Sequence, residues 1–338
     1  MTHLTNCGKN AFPAVNPNAE GNTHRLNGIA FVNIYAETGY MLTIRKELHH
    51  ALRGKSFSLP LLLLLSLTVI MSSCSHTDEK DLSSPPGYDL NKPAVVKLPG
   101  YLDEISGIAF YPKDKAVFAI DDEKGWLYKI FLTGNMAIQK WKYGKGSDFE
   151  DLAVIDSVFY VLQSKGNILA VHFLQSDSTA VESYKSELPG KNEFEILYQD
   201  KERNKLIMLC KDCEADNKST LTAYAFDLAT HTFDPAPAFV IDVRKIDELM
   251  KERKVKFKPS AASIDPRSGK LFMISSINKI VAVADRNGNV ENVYKINPKL
   301  FKQPEGLTFS PEGHLLISNE SAGIGASNIF IFKYNPGK

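Results

Sequence analysis

One stretch pattern recurs five times along this chain and restricts the fold more than any other feature. The segments "ISGIAFYPKDKAVFAIDDEKGWLYKI", "FEDLAVIDSVFYVLQSKGNILAVHF", "FEILYQDKERNKLIMLCKD" with "LTAYAFDL", "PSAASIDPRSGKLFMISSINKIVAVAD", and "PEGLTFSPEGHLLISNES" with "SNIFIFKYN" align with one another. Their second residues are Ser106, Glu150, Glu195, Ser260 and Glu305, mostly about 45 residues apart. A period of this length marks an array of supersecondary units, each too small to bury its apolar face alone. Within each unit, apolar runs of four to seven residues alternate with Gly, Pro, Asp and Asn, so the units are built of short strands.

The strand count selects the architecture. Each repeat holds three strands and then a fourth, as in "AIQKWKYG", "TAVESYKSEL", "AFVIDV" and "VENVYKI", but the last repeat runs out of chain after three. The segment "PAVVKLPG", Pro93 to Gly100, precedes the first repeat and has no unit of its own. Pairing it with the last repeat closes a ring and removes exposed sheet edges. The chain is therefore expected to be all-β, a five-bladed β-propeller of four-stranded blades closed by its N-terminal strand. The longer spacing before Ser260 contains "VRKIDELMKERKVKF", in which Ile246, Leu249 and Met250 have helical spacing. It is read as a short helix inserted between blades; a six-bladed ring, with residues 241–257 hiding a degenerate blade, ranks second and a sandwich third.

The residues before the repeats read as targeting rather than fold. "SFSLPLLLLLSLTVIMSSC" follows Arg45, Lys46, Arg53 and Lys55, a basic flank and apolar run that fit a secretory signal peptide. A buried Leu-rich helix fits less well, because Pro60 and the flanking charges suit no core helix. "MSSC" resembles a bacterial lipobox, which implies that Cys74 becomes the lipidated first residue of the mature protein. Acyl chains there anchor a protein by burying methylenes. The expected location is the cell envelope, at the outer membrane on its periplasmic or surface side. Residues 1–40 have no place in front of such a signal and are expected to be a mis-assigned start. Residues 41–73 are the signal, residues 74–92 a flexible tether and residues 93–338 the propeller. The acidic residues after Cys74 either resemble a lipoprotein surface-export signal or form a solvated linker.

The repeats also carry a family likeness. "EISGIAFYPKDKAVFAIDDEKGWLYKI", "DFEDLAVI", "FEILYQD" and "PEGLTFSPEGHLLISNE" resemble the SdiA-regulated family of bacterial propellers, distant relatives of NHL-repeat propellers. The resemblance implies a five-bladed propeller with a bound calcium ion and no established biochemical activity. Ser260 stands where the pattern has an acidic residue, and the first repeat carries its Glu two positions early.

In a propeller the first strand of each blade lines the axis, and the second returns antiparallel to the same rim. Ser106, Glu150, Glu195, Ser260 and Glu305 from strand starts are thus expected to meet Asp121, Asp122, Gln163, Asp212, Ser275, Asn319 and Glu320 from strand ends. Converging carboxylates repel one another unless protonated or paired with a cation. No Lys or Arg occupies an equivalent strand-start position, and an oxygen-only ligand set suits calcium. The candidate ligands are Glu150, Glu195 and Glu305, with Ser106, Asp121, Asp122, Ser260, Asn319 and Glu320 as further channel-mouth ligands. The alternative is that the glutamates hydrogen-bond backbone N–H groups of the next blade and staple the ring.

Other chemistry has less support. Cys210 and Cys213 form C-x-x-C with no second pair or partner His for zinc. Cys210 reads as a core residue, which favours unpaired cysteines while leaving a disulfide open. "DCEADN", Asp212 to Asn217, spaces acids like part of an EF-hand loop but lacks its Gly and final Glu, so it reads as a solvated turn. There is no G-x-S-x-G, and His172, His231 and His314 fall mostly away from the acidic mouth, so no catalytic residue is assigned. A net charge of +1 gives no footprint for nucleic acid. The functional expectation is a lipid-anchored, calcium-holding interaction module for an unidentified protein, small-molecule or glycan ligand. A metal-dependent hydrolase, lactonase-like or esterase-like, with Asp121 or Asp122 as base, is the alternative.

Overall fold

A computed structural model describes residues 82–338, apart from residues 133–136, 175–176, 253, 254, 256, 322, 324 and 325. The expectations for residues 1–40, for the signal at 41–73 and for Cys74 lie outside the described residues. Among the described residues no helix is long and apolar enough to cross a membrane.

The repeats fold as five antiparallel sheets. Strand β1 (Ala94–Lys97) comes first and is held back for the end of the chain. Blade 1 is β2 (Ile105–Tyr111), β3 (Ala116–Asp121), β4 (Trp126–Phe131) and β5 (Ile138–Lys142). Blade 2 is β6 (Phe149–Ile155), β7 (Val158–Gln163), β8 (Ile168–Phe173) and β9 (Thr179–Tyr184). Blade 3 has β10 (Asn192–Asp200), β11 (Lys205–Cys213) and β12 (Thr220–Asp227). Two short strands, β13 (Thr232–Phe233) and β14 (Phe239–Asp242), share its outer position by pairing with opposite ends of β12. Blade 4 is β15 (Ala261–Ile264), β16 (Leu271–Ser275), β17 (Ile280–Ala284) and β18 (Val290–Lys295). Blade 5 is β19 (Pro304–Phe309), β20 (Leu315–Asn319) and β21 (Asn328–Phe332), completed by β1 in the register Ala94↔Ile331 to Lys97↔Asn328. The ring is thus closed by strands from both ends of the domain, and the protein is a five-bladed β-propeller.

The insertion before blade 4 is helix α1 (Val243–Met250), not a sixth blade. The Asp242 side chain caps it by accepting from Arg244 N, and Val243 and Ile246 are its buried face.

Five apolar cores hold the blades, one at each junction, because every sheet is covered on both faces by its neighbours. Phe118 and Phe159 meet between blades 1 and 2 with ring centroids 4.4 Å apart. The later junctions are filled around Phe194 and Met208, then Ile207 and Met273, then Phe272 and Phe309. Ile108 and Leu316 close blade 5 onto blade 1. Strands buried on both faces read as continuous apolar runs, which is why "AVFAID" and "LIMLC" show no alternation. The inner strands touch in the cyclic order β2, β6, β10, β15, β19 and back to β2. The turn from first to second strand lies on one rim in every blade and holds one residue at positive φ: Lys115, Asp156, Asn204, Gly269 or Gly313.

Residues 82–92, expected to finish a flexible tether, are instead packed on that turn rim. Tyr88 and Leu90 are buried, Tyr88 Oη donates to Gly313 O at 2.8 Å, and Gly87 N donates to Lys338 O at 2.9 Å. Leu82, Tyr88 and Leu90 in a polar, Pro-rich stretch are too few to show a periodicity, but the two buried ones suffice to dock it.

Candidate functional site

The opposite rim, where inner strands begin, is shaped by a repeated irregularity. The ladder between first and second strands skips one residue at the same place in four blades. Phe149 pairs with Gln163 but Asp151 with Leu162, leaving Glu150 extra. Glu195 is left extra between Phe194 and Ile196, and Glu305 between Pro304 and Gly306. In blade 1 the shift falls between Ile105 and Ile108, at Ser106 and Gly107. A bulge of this kind re-aims a side chain that the ladder would otherwise fix. Ser260, the fifth member, precedes β15 and keeps its ladder bond, Ser260 N to Ile274 O at 2.8 Å. A second set stands at the rim ends of the returning strands: Asp122, Ser164, Ser276 and Glu320, each just past a strand end, and Lys211, inside β11.

The stapling role falls to neighbours of the glutamates. Asp151, one residue after Glu150 and fully buried, accepts from Leu152 N at 2.7 Å and from Leu197 N of the next blade at 2.8 Å. Burial still holds its carboxyl well above the usual range. Ser106 Oγ donates to Glu150 O at 2.5 Å and Ser260 Oγ to Pro304 O at 2.6 Å, each across a blade junction. Asp121 is wholly buried and accepts from Lys124 N at 2.5 Å and Tyr128 Oη at 3.0 Å. Ser106, Ser260 and Asp121 are therefore engaged in the frame of the mouth. Space is equally constrained: a Cβ on Gly107 would lie 2.4 Å from Asp151 Oδ1, and one on Gly306 would lie 2.3 Å from Ser318 Oγ and 2.8 Å from Ser106 O.

The bulged glutamates are in a different condition. Burial, with the charges of Glu195 and Asp148, raises Glu150 to about 8, against a hydrogen bond from Ser164 and the charge of Lys211. Burial, with Glu320 and Glu195, raises Glu305 to about 8, against Ser276 and Lys211. Glu320 rises to about 7 through burial and the charges of Glu104, Asp122 and Glu195, although Gln303 Nε2 donates to it. Asp122 is raised by burial and by Glu104, Glu123 and Asp121. Each shift says that negative charge at this rim has too few partners.

One cation answers part of that deficit, and the sequence reading passed over it. Lys211 Nζ pairs with Glu195. The β10–β11 register steps from Glu193↔Asp212 to Phe194↔Cys210, so Lys211 is itself an extra residue, facing the bulge that carries Glu195. This second irregularity moves Asp212, expected at the mouth, out to solvent, where it is 72% exposed. It also corrects the reading of the cysteines, which favoured no bond between them: Cys210 and Cys213 form a disulfide. Residues three apart on a regular strand stand roughly 10 Å apart, too far for a disulfide. The extra residue brings these Cα atoms to 5.8 Å. "DCEADN" is indeed a turn, closed by Asp216 N to Cys213 O at 2.9 Å.

A cavity of about 300 Å³ opens beside the pair, lined by Glu195, Glu305, Lys211, Lys258, Lys302 and Ser260 among others. Two buried acceptors of the returning strands, Asp122 Oδ1 and Asn319 Oδ1, have no hydrogen-bond partner. Asn319 is 1% exposed, and its amide donates only to Asn328 Oδ1 at 3.1 Å. Unpartnered carbonyl and carboxylate oxygens beside raised glutamates are the donor set of a hard cation, so the residues present fit calcium. The carboxylates are not drawn into a tight cluster. Among the described residues, the group whose ligand atoms all lie within 4.8 Å of one another is Cys210, Cys213 and Asp216, in which the two sulfurs are already bonded. The described histidines, His172, His231 and His314, lie elsewhere; His314 Nδ1 accepts from Tyr334 N at 3.1 Å beside the turn rim.

No curated protein matches the chain. Solved structures similar to it include a luciferin-regenerating enzyme at 12% identity and TM-score 0.46, over 72% of this chain and 95% of that one. The glutaminyl cyclase of Myxococcus xanthus shares 13% identity at TM-score 0.46, over 72% and 97% of the two chains. Regucalcin from Agrobacterium tumefaciens, described as a calcium-binding protein, shares 13% identity at TM-score 0.44, over 74% and 95%. The profile of the SdiA-regulated family matches residues 84–323, the docked segment and nearly the whole propeller, and this chain belongs to that family.

Proposed function

We propose that this protein is a lipid-anchored binding module of the cell envelope whose channel mouth holds a calcium ion. The observation that carries the reading is the set of half-buried acids Glu150, Glu305 and Glu320, lifted to about 8, 8 and 7 beside the paired Lys211. Calcium supplies the missing positive charge. Glu150 and Glu305, with Glu195 once released from Lys211, would hold it, and Asn319 and Asp122 offer the unpartnered oxygens. Glu320 adds negative charge at the same rim. Ser164 and Ser276 orient Glu150 and Glu305 by hydrogen bonds. The ligand of such a module is small and polar, sized for the cavity of about 300 Å³, with an anionic group that Lys258 and Lys302 can face. Ile277, 69% exposed on the cavity's lining, offers it an apolar contact.

Calorimetric titration of the purified domain with calcium tests the core of this reading. Saturable binding that is weaker for magnesium, and lost in Glu305→Gln, is expected; heat no larger than dilution would end it. The anchor is tested separately, by mass spectrometry of the membrane fraction for an acylated peptide beginning at Cys74, and by release of Cys74→Ala from that fraction. The hydrolase reading keeps one supporting observation, the unpartnered Asp122 Oδ1, because Asp121 is already hydrogen-bonded. Turnover of lactone, phosphoester or sugar substrates lost in Asp122→Asn would promote it.

A further inference from the structure

Lys211 stands apart in its set. Asp122, Ser164, Ser276 and Glu320 each follow a returning strand, Lys211 lies within β11 near its rim end, and of these five it alone is a cation. Its charge reaches Glu195, Glu150 and Glu305 together, the three bulged glutamates. Its backbone position is also fixed. The β11 backbone bulges at Lys211 itself, and the chain on either side is tied by the Cys210–Cys213 disulfide. Cys210 and Cys213 are 0% and 4% exposed and packed in the core with Phe194 and Met208, so the tie is anchored in the junction between blades 2 and 3. Without that tie, the extra residue could slide out of the ladder and carry the ammonium away from Glu195.

An ammonium on Glu195 and a divalent ion between the same carboxylates draw on the same negative charge. We infer that Lys211, pinned at its bulge by the Cys210–Cys213 disulfide, is a built-in competitor that sets the affinity of the acidic mouth for divalent cations. Lys211 does not take part in holding the ion; it positions Glu195 and yields it. The inference rests on the reading of the mouth as a cation site, and it assigns to one residue the strength of that site. The lysine discounts weak and monovalent cations, since only an ion that repays the broken Glu195 pair displaces it.

The test compares calcium affinity by calorimetry in the parent, Lys211→Met, Lys211→Arg and Cys210→Ala/Cys213→Ala, with folding checked by circular dichroism. Lys211→Met is expected to bind calcium at least about tenfold more tightly, since a unit charge within a few ångströms is removed. Lys211→Arg, which keeps the charge, should stay within about threefold of the parent. The double alanine variant should shift in the direction of Lys211→Met by a smaller factor. If Lys211→Met does not fold, Lys211→Gln replaces it. Parent and Lys211→Met binding with equal affinity, or the variant more weakly, overturns the inference while leaving the cation site intact. Binding in neither overturns both. Binding in Lys211→Met alone keeps the inference, a lysine that masks the site, but overturns the proposal that the mouth of the parent holds calcium.

Discussion

Strand β10 carries a buried acid toward each rim, and the two are treated in opposite ways. Asp200, 1% exposed beside the turn, accepts from Glu202 N, Arg203 N, Arg203 Nη1 at 2.9 Å and, from blade 4, Arg286 Nη1 at 2.8 Å. Asp265, on the same rim, is filled by Arg267 N, Ser268 N and Ser268 Oγ. At the mouth, Glu195 has a lysine that it shares electrically with Glu150 and Glu305, and those two have one serine each. Acids whose oxygens are filled by donors from their own turn and the next blade are structural. Acids left short at the other end of the same strands are what the proposed cation site rests on.

The largest expected contrast comes from neutralising one acid at each end. Asp200→Asn leaves Arg203 and Arg286 without their buried partner and should lower stability by about 3–5 kcal/mol. Glu305→Gln in chelator should leave the domain as stable or more so, because it removes a repelled charge, and should abolish stabilisation by calcium. For the parent, calcium at a hundredfold its dissociation constant should add about 2.7 kcal/mol. Thermal melts of the three proteins with and without calcium measure all of this. A Glu305→Gln domain that melts well below the parent in chelator would make the mouth structural too.

Next in size is the close approach that brings the mouth together. Gly306→Ala places a methyl 2.3 Å from Ser318 Oγ and 2.8 Å from Ser106 O at the junction of blades 5 and 1. Overpacking there should cost about 1–3 kcal/mol and weaken calcium binding with it. Gly269→Ala, on the turn rim, meets nothing nearer than 3.6 Å and is charged only the strain of φ 67°, so it should cost less and leave calcium affinity untouched.

How far the sequence could be read follows the same division. The five repeats, the closing strand, the inserted helix and the rim shared by Glu150, Glu195 and Glu305 all follow from apolar periodicity and spacing, since these express burial directly. What stayed hidden depends on single-residue slips of register. Lys211 and Asp212 are adjacent in "CKDC", and only the β11 bulge decides which of them faces Glu195. The same slip decides whether the cysteines meet. The roles of Ser106, Ser260 and Asp151 were equally out of reach, because a hydroxyl or carboxyl at a strand start reads alike whether it binds a ligand or the next blade's backbone.

The two rims should also part with pH. A carboxyl whose folded pKa is raised holds its proton more tightly in the folded chain than in the unfolded one. Glu150, Glu305 and Glu320 therefore contribute stability that is present in full below their ordinary value of 4.5 and lost as pH rises through about 7 to 8. In chelator, the melting temperature should fall across that window. Calcium should flatten the fall and bind more tightly as pH rises, releasing protons as it does. Glu305→Gln should make the fall shallower, whereas a slope unchanged by the mutation would place the titrating groups elsewhere.

The smallest effect separates frame from ligand at the mouth itself. Ser106 Oγ is committed to Glu150 O, and a neutral hydrogen bond of this kind contributes about 1 kcal/mol. Ser106→Ala should therefore lower stability by that amount with or without calcium, leaving the calcium increment unchanged, because the lost bond lies in the blade junction in both states. If Ser106 ligates the ion as well, the loss will be greater in calcium than in chelator, and the difference between the two melts reads the ligand's share directly. Ser260→Ala offers the same reading at the junction of blades 4 and 5, where Ser260 Oγ also receives Ser276 N at 3.2 Å and so holds the residue that orients Glu305. Its calcium increment should fall slightly through Ser276. A decrement in Ser260→Ala without one in Ser106→Ala would show that the serines act on the mouth through their neighbours rather than by touching the ion.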